Sequence, residues 1–356
     1  MQKTGIADLP LHYGKAPRWL FDKMKMLARE IIIAIIQDSG SNELLRKISD
    51  PLWFQALGCV LGFDWHSSGL TTTVCGAIKE GIKGLEKELG FFVAGGKGKV
   101  SLNTPKEILE WGDSVSFDPN YLVYASRMTA KVDTAGIQDG FNLYHHCFMF
   151  SSTGKWAVIQ QGMNEATGYA RRYHWISDNV KSFVCEPHSA ICSELKTEGL
   201  NMVAKESERS RVLCTKLSKE HPSIILKELK KVESIKFPSH HAFSVSKLRP
   251  YKLEKSLQLA YERSPENFEQ LLGIKGVGAR TVRALALISD LIYGVKPSFR
   301  DPTTYSFAHG GKDGHPYPVD KKTYSETILS LHKALQEAKI GRYDKIKAVK
   351  RLKTLL

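Results

Sequence analysis

Two short helical patterns joined by a turn that glycine alone makes easily constrain this chain more than any other stretch. Residues 264–302 read SPENFEQLLGIKGVGARTVRALALISDLIYGVKPSFRDP. Ser264 is a good helix N-cap, Pro265 suits a first helical position and Glu266 a first turn. Phe268, Leu271 and Leu272 fall on one helical face, and Gly273 ends that helix. Gly276-Val277-Gly278 then make a turn that a Cβ would obstruct. A second helix opens at Ala279, carries Val282, Leu285, Ala286 and Leu291, and closes at Gly294.

The signature GIKGVGART resembles the helix-hairpin-helix motif. That resemblance implies that the hairpin N–H groups and the following helix N-terminus bind a nucleic-acid phosphate. Elementary chemistry agrees, because bare backbone can approach an anion and the helix dipole favours negative charge there. Lys275, Gly276, Gly278, Arg280, Thr281 and Arg283 are therefore the expected nucleic-acid-binding residues. They would position the protein without reading sequence. The order of glycines is wrong for a dinucleotide fingerprint, which needs GxGxxG after a strand. The competing reading is a plain glycine turn between two packed helices.

A length of 356 residues allows two domains with sizeable cores, and 42% hydrophobic with 25% charged residues is ordinary for a soluble globular protein. The net charge of +14 fits a polyanionic partner, although much of the lysine in the last third also suits solvated helix surface. Six scattered cysteines without a CxxC pair read as reduced, buried thiols. Cys185, His188 and Cys192 lie close in sequence but lack the usual zinc spacing and a fourth ligand. Residues 1–15 have no apolar core of a signal peptide, and the apolar run 27–37 is too short to cross a bilayer. The expected setting is the cytoplasm, with DNA as partner and no membrane.

In order, the chain reads as an irregular arm (1–15), a helix over 16–38 broken at Ser39-Gly40-Ser41, and short helices over 43–48 and 52–61. Asp64, His66, Ser67, Ser68 and Thr71–Thr73 crowd the start of a helix expected over 74–89. Hydroxyls and N–H groups there make an anion site, with Asp64 and His66 as acid–base or metal-binding groups; the alternative is a self-satisfied capping loop. GGKGK near Lys97 lacks the ending of a nucleotide loop and reads as a turn. Residues 203–234 read as a solvated helical stretch, 237–241 as a domain joint, 247–261 as a helix, and 323–338 and 343–355 as closing helices. The long loop 301–320 offers Asp301, His309, Lys312, Asp313 and His315.

The second informative stretch covers residues 131–177. Two aromatic-rich runs, 144–150 and 156–160, flank Ser-Ser-Thr-Gly-Lys, which is a β-hairpin pattern. Asp133, Gln138, Asp139, His145, His146, Gln160, Gln161, Asn164, Arg171, Arg172 and His174 crowd its ends. Adjacent His145 and His146 must point to opposite faces of a strand. Polar groups this dense on buried strands form either a hydrogen-bonded network or an active site. As a site, Asp133 and Asp139 would hold Mg²⁺ or Mn²⁺, while His145 or His146 moves protons with Gln161 beside them. Arg171 and Arg172 would neutralise phosphate, a set suited to phosphodiester hydrolysis.

GFDWHSSG with TTT, QDGFNLYHH, WAVIQQGM and FRDPTTYSFAHGGKDG together resemble domain-of-unknown-function family 763, found mainly in archaea and thermophilic bacteria. The resemblance covers nearly the whole chain and implies no settled activity. The expected fold is α+β, with a helix-rich mixed domain holding a small sheet (1–236) and an all-α helix-hairpin-helix domain (237–356). The expected function is a metal-dependent, structure-directed nuclease of DNA repair or processing. A base-excision DNA glycosylase using Asp301 is the rival, because that superfamily also follows its hairpin with a catalytic aspartate. Asp301 comes slightly late for that role, the usual arginine after it is missing, and Arg280 stands at the lyase lysine position. A non-catalytic DNA-binding module is the third reading.

Overall fold

The computed structural model describes residues 17–63, 68–233, 253–305 and 321–353. It opens with α1 (Arg18–Ser49), which bends at Gly40, where φ is +83°. The break expected there kinks a long helix instead of ending it. Asp50 accepts from the Trp53 N–H at 2.7 Å and Pro51 takes the first position, so α2 (Pro51–Leu61) starts at once. The helix expected over 74–89 is two, α3 (Gly69–Gly81) and α4 (Glu86–Leu89), separated where Gly84 takes φ +86°.

Next come β1 (Phe91–Lys97), α5 (Thr104–Glu110), α6 (Pro119–Lys131) and β2 (Ile137–Gln138). The hairpin read from the sequence is β3 (Asn142–Ser151) and β4 (Trp156–Asn164). With β5 (Tyr169–Ile176) and β6 (Ala190–Cys192) they form an antiparallel sheet in the order β1-β3-β4-β5-β6. The short β7 (Leu200–Asn201) pairs with β2. Helices α7 (Glu208–Leu217), α8 (Pro222–Glu233), α9 (Glu254–Arg263), α10 (Phe268–Gly273), α11 (Ala279–Leu291), α12 (Lys321–Glu337) and α13 (Arg342–Lys353) follow. The fold class is α+β.

Helices cover both faces of the sheet. Phe92, Phe148, Trp156, Val158, Tyr173 and Trp175 point to a core shared with α6, α7, α9, α10 and α11. Phe91, Val93, Cys147, Met149, Ala157 and Ile159 point to a second core built by α1, α2, α3, α12 and α13. Successive strand residues alternate between these layers, so any polar side chain in the central strands is enclosed whichever way it points.

The boundary expected at 236/237 falls in 234–252, outside the described residues. Packing does not separate the helices beyond it: α9–α11 share the sheet's first core, and α12 and α13 return to the second. Ser264 is not a helix N-cap. It closes α9 at φ +45°, and Asn267 caps α10 by accepting from the Gln270 N–H at 2.9 Å. Helix α9 runs later than the sequence pattern indicated, which leaves Ser264 at its C-terminal end.

Candidate active site and nucleic-acid interface

One short segment, residues 131–139, builds most of the site. Beyond Lys131, α6 widens into a π-turn over Val132–Gly136 and then becomes β2. Such wide turns in a helix recur at functional sites. Lys131 donates its ammonium to the carbonyl of Ile274 at 3.2 Å and to that of Val277, both in the turn between α10 and α11. Burial lowers the Lys131 pKa. Gln138 donates to the Ala279 carbonyl at 2.9 Å and accepts from Arg283 Nε at 2.8 Å. The glycine turn is thus fastened to the segment from both ends.

Between these anchors Asp133 points into the first core and is fully buried. Its Oδ2 accepts from Gln160 Nε2 at 2.5 Å and Trp175 Nε1 at 3.0 Å, and its Oδ1 lies 2.5 Å from His188 Nε2. Burial raises the Asp133 pKa, while His188 and Trp175 pull it down, and the net shift is upward. With Asp133 Oδ1 as the acceptor, the hydrogen-bond network assigns the proton of neutral His188 to Nε2 and leaves the lone pair on Nδ1. Gln160 passes the line onward: its Oε1 meets His146 Nδ1 at 2.8 Å, and His146 Nε2 meets Ser126 Oγ at 2.9 Å. His146 is thereby committed on both nitrogens, and burial lowers its pKa to about 4.

Asp139 belongs to a neighbouring ionic group. Its Oδ2 accepts from Arg171 at 2.6 Å and from the Tyr173 hydroxyl at 2.9 Å, and its Oδ1 from the Phe141 N–H at 3.1 Å. Arg171 also reaches Asp301 Oδ2 at 2.7 Å. Burial would raise the Asp301 pKa, but Arg171 and the N–H groups of Thr197 and Thr303 outweigh it and hold the pKa low. Asp301 and His188 line one cleft of about 840 Å³, with exposed Lys196 and Arg300 at its edge.

The Mg²⁺ or Mn²⁺ expected at Asp133 and Asp139 does not suit this donor set. Their oxygens already accept N–H and O–H bonds, and the Arg171 guanidinium supplies the positive charge that a hard cation would bring. Nor can Arg171 and Arg172 meet a phosphate outside, because both are fully buried, and they point to opposite faces of the sheet.

The opposite face carries the other half of the predicted cluster. Lys97, His145, Gln161, Arg172 and Cys192 are in register across β1, β3, β4, β5 and β6. Arg172 bonds Gln55 at 2.9 Å and His174 at 2.8 Å, and lies over the Phe54 ring. Gln161 Nε2 donates to the Ser68 carbonyl at 2.9 Å and to the Tyr144 hydroxyl. The start of α3 therefore does meet the sheet cluster, but on the face away from His188. Asp64, His66 and Ser67, like His309, Lys312, Asp313 and His315, lie outside the described residues. His145 is enclosed here, and burial together with nearby His146 and Lys97 lowers its pKa to about 3.

At the glycine turn, Gly276 takes φ +103°, and Lys275, Gly276 and Arg280 are exposed. A cavity of about 440 Å³ opens at the start of α11, lined by Lys255, Gly276, Gly278 and Arg280. Two expected contact residues are turned away. Thr281 is buried and bonds Ser256 at 2.8 Å, and Arg283 is engaged by Gln138.

Sequence reasoning put Asp133, Asp139, Gln160 and Arg171 in one polar cluster with His145, Gln161, Arg172 and His174, which the sheet turns to its other face, and missed His188 as the partner of Asp133. Its setting among Cys185 and Cys192 drew attention to zinc instead. The structure does not gather that trio: His188 turns to Asp133, and Cys192 packs beneath Arg172. No local pattern marks the pairing, because 55 residues separate His188 from Asp133.

A structure of this kind, an enclosed antiparallel sheet with an Asp–His pair and a basic glycine turn, defines an α+β protein with a polar cleft. The family described as "Protein of unknown function (DUF763)" matches residues 5–319, and the chain belongs to that family. No curated protein and no solved structure matched the chain. Among the described residues no helix is long and apolar enough to cross a membrane.

Proposed function

We propose that this chain binds DNA through the α10–α11 turn and hydrolyses a phosphodiester bond in the cleft beside His188. The observation that carries the reading is the 131–139 segment. Lys131 and Gln138 hold the turn, while Asp133 between them orients His188. A backbone seated on Lys275, Gly276 and Arg280 is thereby linked rigidly to the residues of the cleft. The net charge of +14 supports a polyanionic partner.

In this mechanism His188 Nδ1 accepts a proton from water as its oxygen attacks phosphorus, and Asp133 stabilises the imidazolium formed. The bond from phosphorus to the leaving oxygen breaks, and that oxygen takes a proton from solvent. Lys196 and Arg300 offset the added charge on the phosphoryl oxygens. No step passes through Mg²⁺ or Mn²⁺.

The test is a panel of end-labelled single-stranded, duplex, forked and uracil- or oxoguanine-containing DNA, each with Mg²⁺, Mn²⁺ or chelator. Strand breaks that survive chelator and vanish in His188→Ala support the proposal. Breaks that require a damaged base and alkali move the chemistry to Asp301 and a glycosylase, a reading favoured by its place in the same cleft. Salt-sensitive binding without breaks on any substrate leaves a DNA-binding module.

A further inference from the structure

Three soft donors meet between α3 and the sheet, in the layer away from His188. His145 and Cys147 are two residues apart in β3, so both face α3, and Cys75 comes from that helix. One ring nitrogen of His145 and the sulfurs of Cys75 and Cys147 all lie within 4.8 Å of one another. The three residues are 1–2% exposed. Neither ring nitrogen of His145 has a hydrogen-bond partner among the described residues, whereas adjacent His146 has one on each. A buried imidazole ordinarily uses both its N–H and its lone pair, so His145 lacks the partner that its burial requires.

We propose that Cys75, His145 and Cys147 bind a thiophilic d¹⁰ cation, zinc(II) or copper(I), which ties α3 to β3. An S₂N donor set selects such ions over Mg²⁺, Ca²⁺ or Mn²⁺. Ligands about 2.0–2.3 Å from a tetrahedral zinc stand roughly 3.5–3.8 Å apart. The observed donors already lie within a span that small side-chain rotations would close to that. Binding displaces the two thiol protons to solvent, so the two thiolates neutralise zinc(II). With copper(I) one negative charge is left, beside the buried Arg172 guanidinium. The ion would fix the helix whose first turn presents Thr71 to Arg172 and whose preceding Ser68 carbonyl accepts from Gln161. This inference stands apart from the hydrolytic reading.

The test uses the full chain, isolated under reducing conditions without added metal, and measures its zinc and copper by mass spectrometry. About one ion per chain is expected, and its identity separates the two metals. The stripped wild type is then titrated with Co²⁺, which should give thiolate-to-cobalt charge-transfer absorption. Cys75→Ser and Cys147→Ser should lose both the ion and the band, and Cys185→Ser should keep both. The proposal is overturned if the stripped wild type shows no charge-transfer band, a result that depends on no variant folding. It is equally overturned if Cys75→Ser and Cys147→Ser retain the full metal content.

Discussion

Lys131, the last residue of α6, donates its ammonium to the backbone carbonyl of Val277 in the turn before α11. Two residues later the same chain presents Asp133 to His188. The side chain that holds the glycine turn and the side chain that orients the imidazole therefore move as one piece. Replacing Lys131 by Met keeps the stem but leaves two carbonyls without their donor. The expected cost is about 1–3 kcal/mol, measured by urea unfolding. DNA affinity should fall with it, although Lys131 itself touches no nucleic acid. An unchanged unfolding midpoint would mean the contact contributes nothing.

His188→Ala should lower strand cleavage by about 10²-fold or more and leave DNA affinity within a factor of about two. Asp133→Ala is a poorer probe, since it strips an acceptor from Gln160, Trp175 and His188 at once and should destabilise the fold. Single-turnover cleavage and filter binding on the same His188 variant separate the two effects. Parallel loss of binding and cleavage would place His188 in the framework of the fold.

Arg171 joins enclosed Asp139 to Asp301, which lies on the wall of the cleft. Arg171→Met would leave the buried Asp139 carboxylate without its cation, which should cost about 3–5 kcal/mol. The double variant with Asp139→Asn should recover part of that loss. For the same reason Mg²⁺ should not raise the melting temperature above an ionic-strength control. A saturable Mg²⁺-dependent rise would restore a metal to Asp139.

How far the sequence reveals this site depends on whether the partners are near one another along the chain. The strand pair β3–β4 is legible because its aromatic runs flank a five-residue turn, and the opposite facing of His145 and His146 follows from strand geometry alone. The glycine turn is legible because Gly276 needs a positive φ. Three partnerships are not. His188 reaches Asp133 across the fold, Lys131 finds carbonyl groups that any residue could offer, and Arg171 and Arg172 resemble surface cations until both faces of the sheet are covered. The sequence pattern shows that strands are rich in polar groups, but the packing of helices on both sides decides which of those groups still meet water.

Buried His146 gives a dependence of stability on pH whose sign is fixed by its burial. Its pKa is lowered to about 4 mainly by burial, against about 6.5 in an unfolded chain. Between those values the unfolded state binds the extra proton, so stability is complete above pH 6.5 and is lost as pH falls toward 4. From pH 7 to pH 5 this residue should account for about 2 kcal/mol of lost stability. His146→Gln removes the titrating group while keeping polar atoms near Gln160 and Ser126. It should start less stable at pH 7 and then lose about 2 kcal/mol less than wild type on going to pH 5. Urea denaturation of both proteins at the two pH values measures the difference. Equal losses in both would show that His146 takes up its proton in the folded state as readily as in the unfolded chain, contrary to its burial.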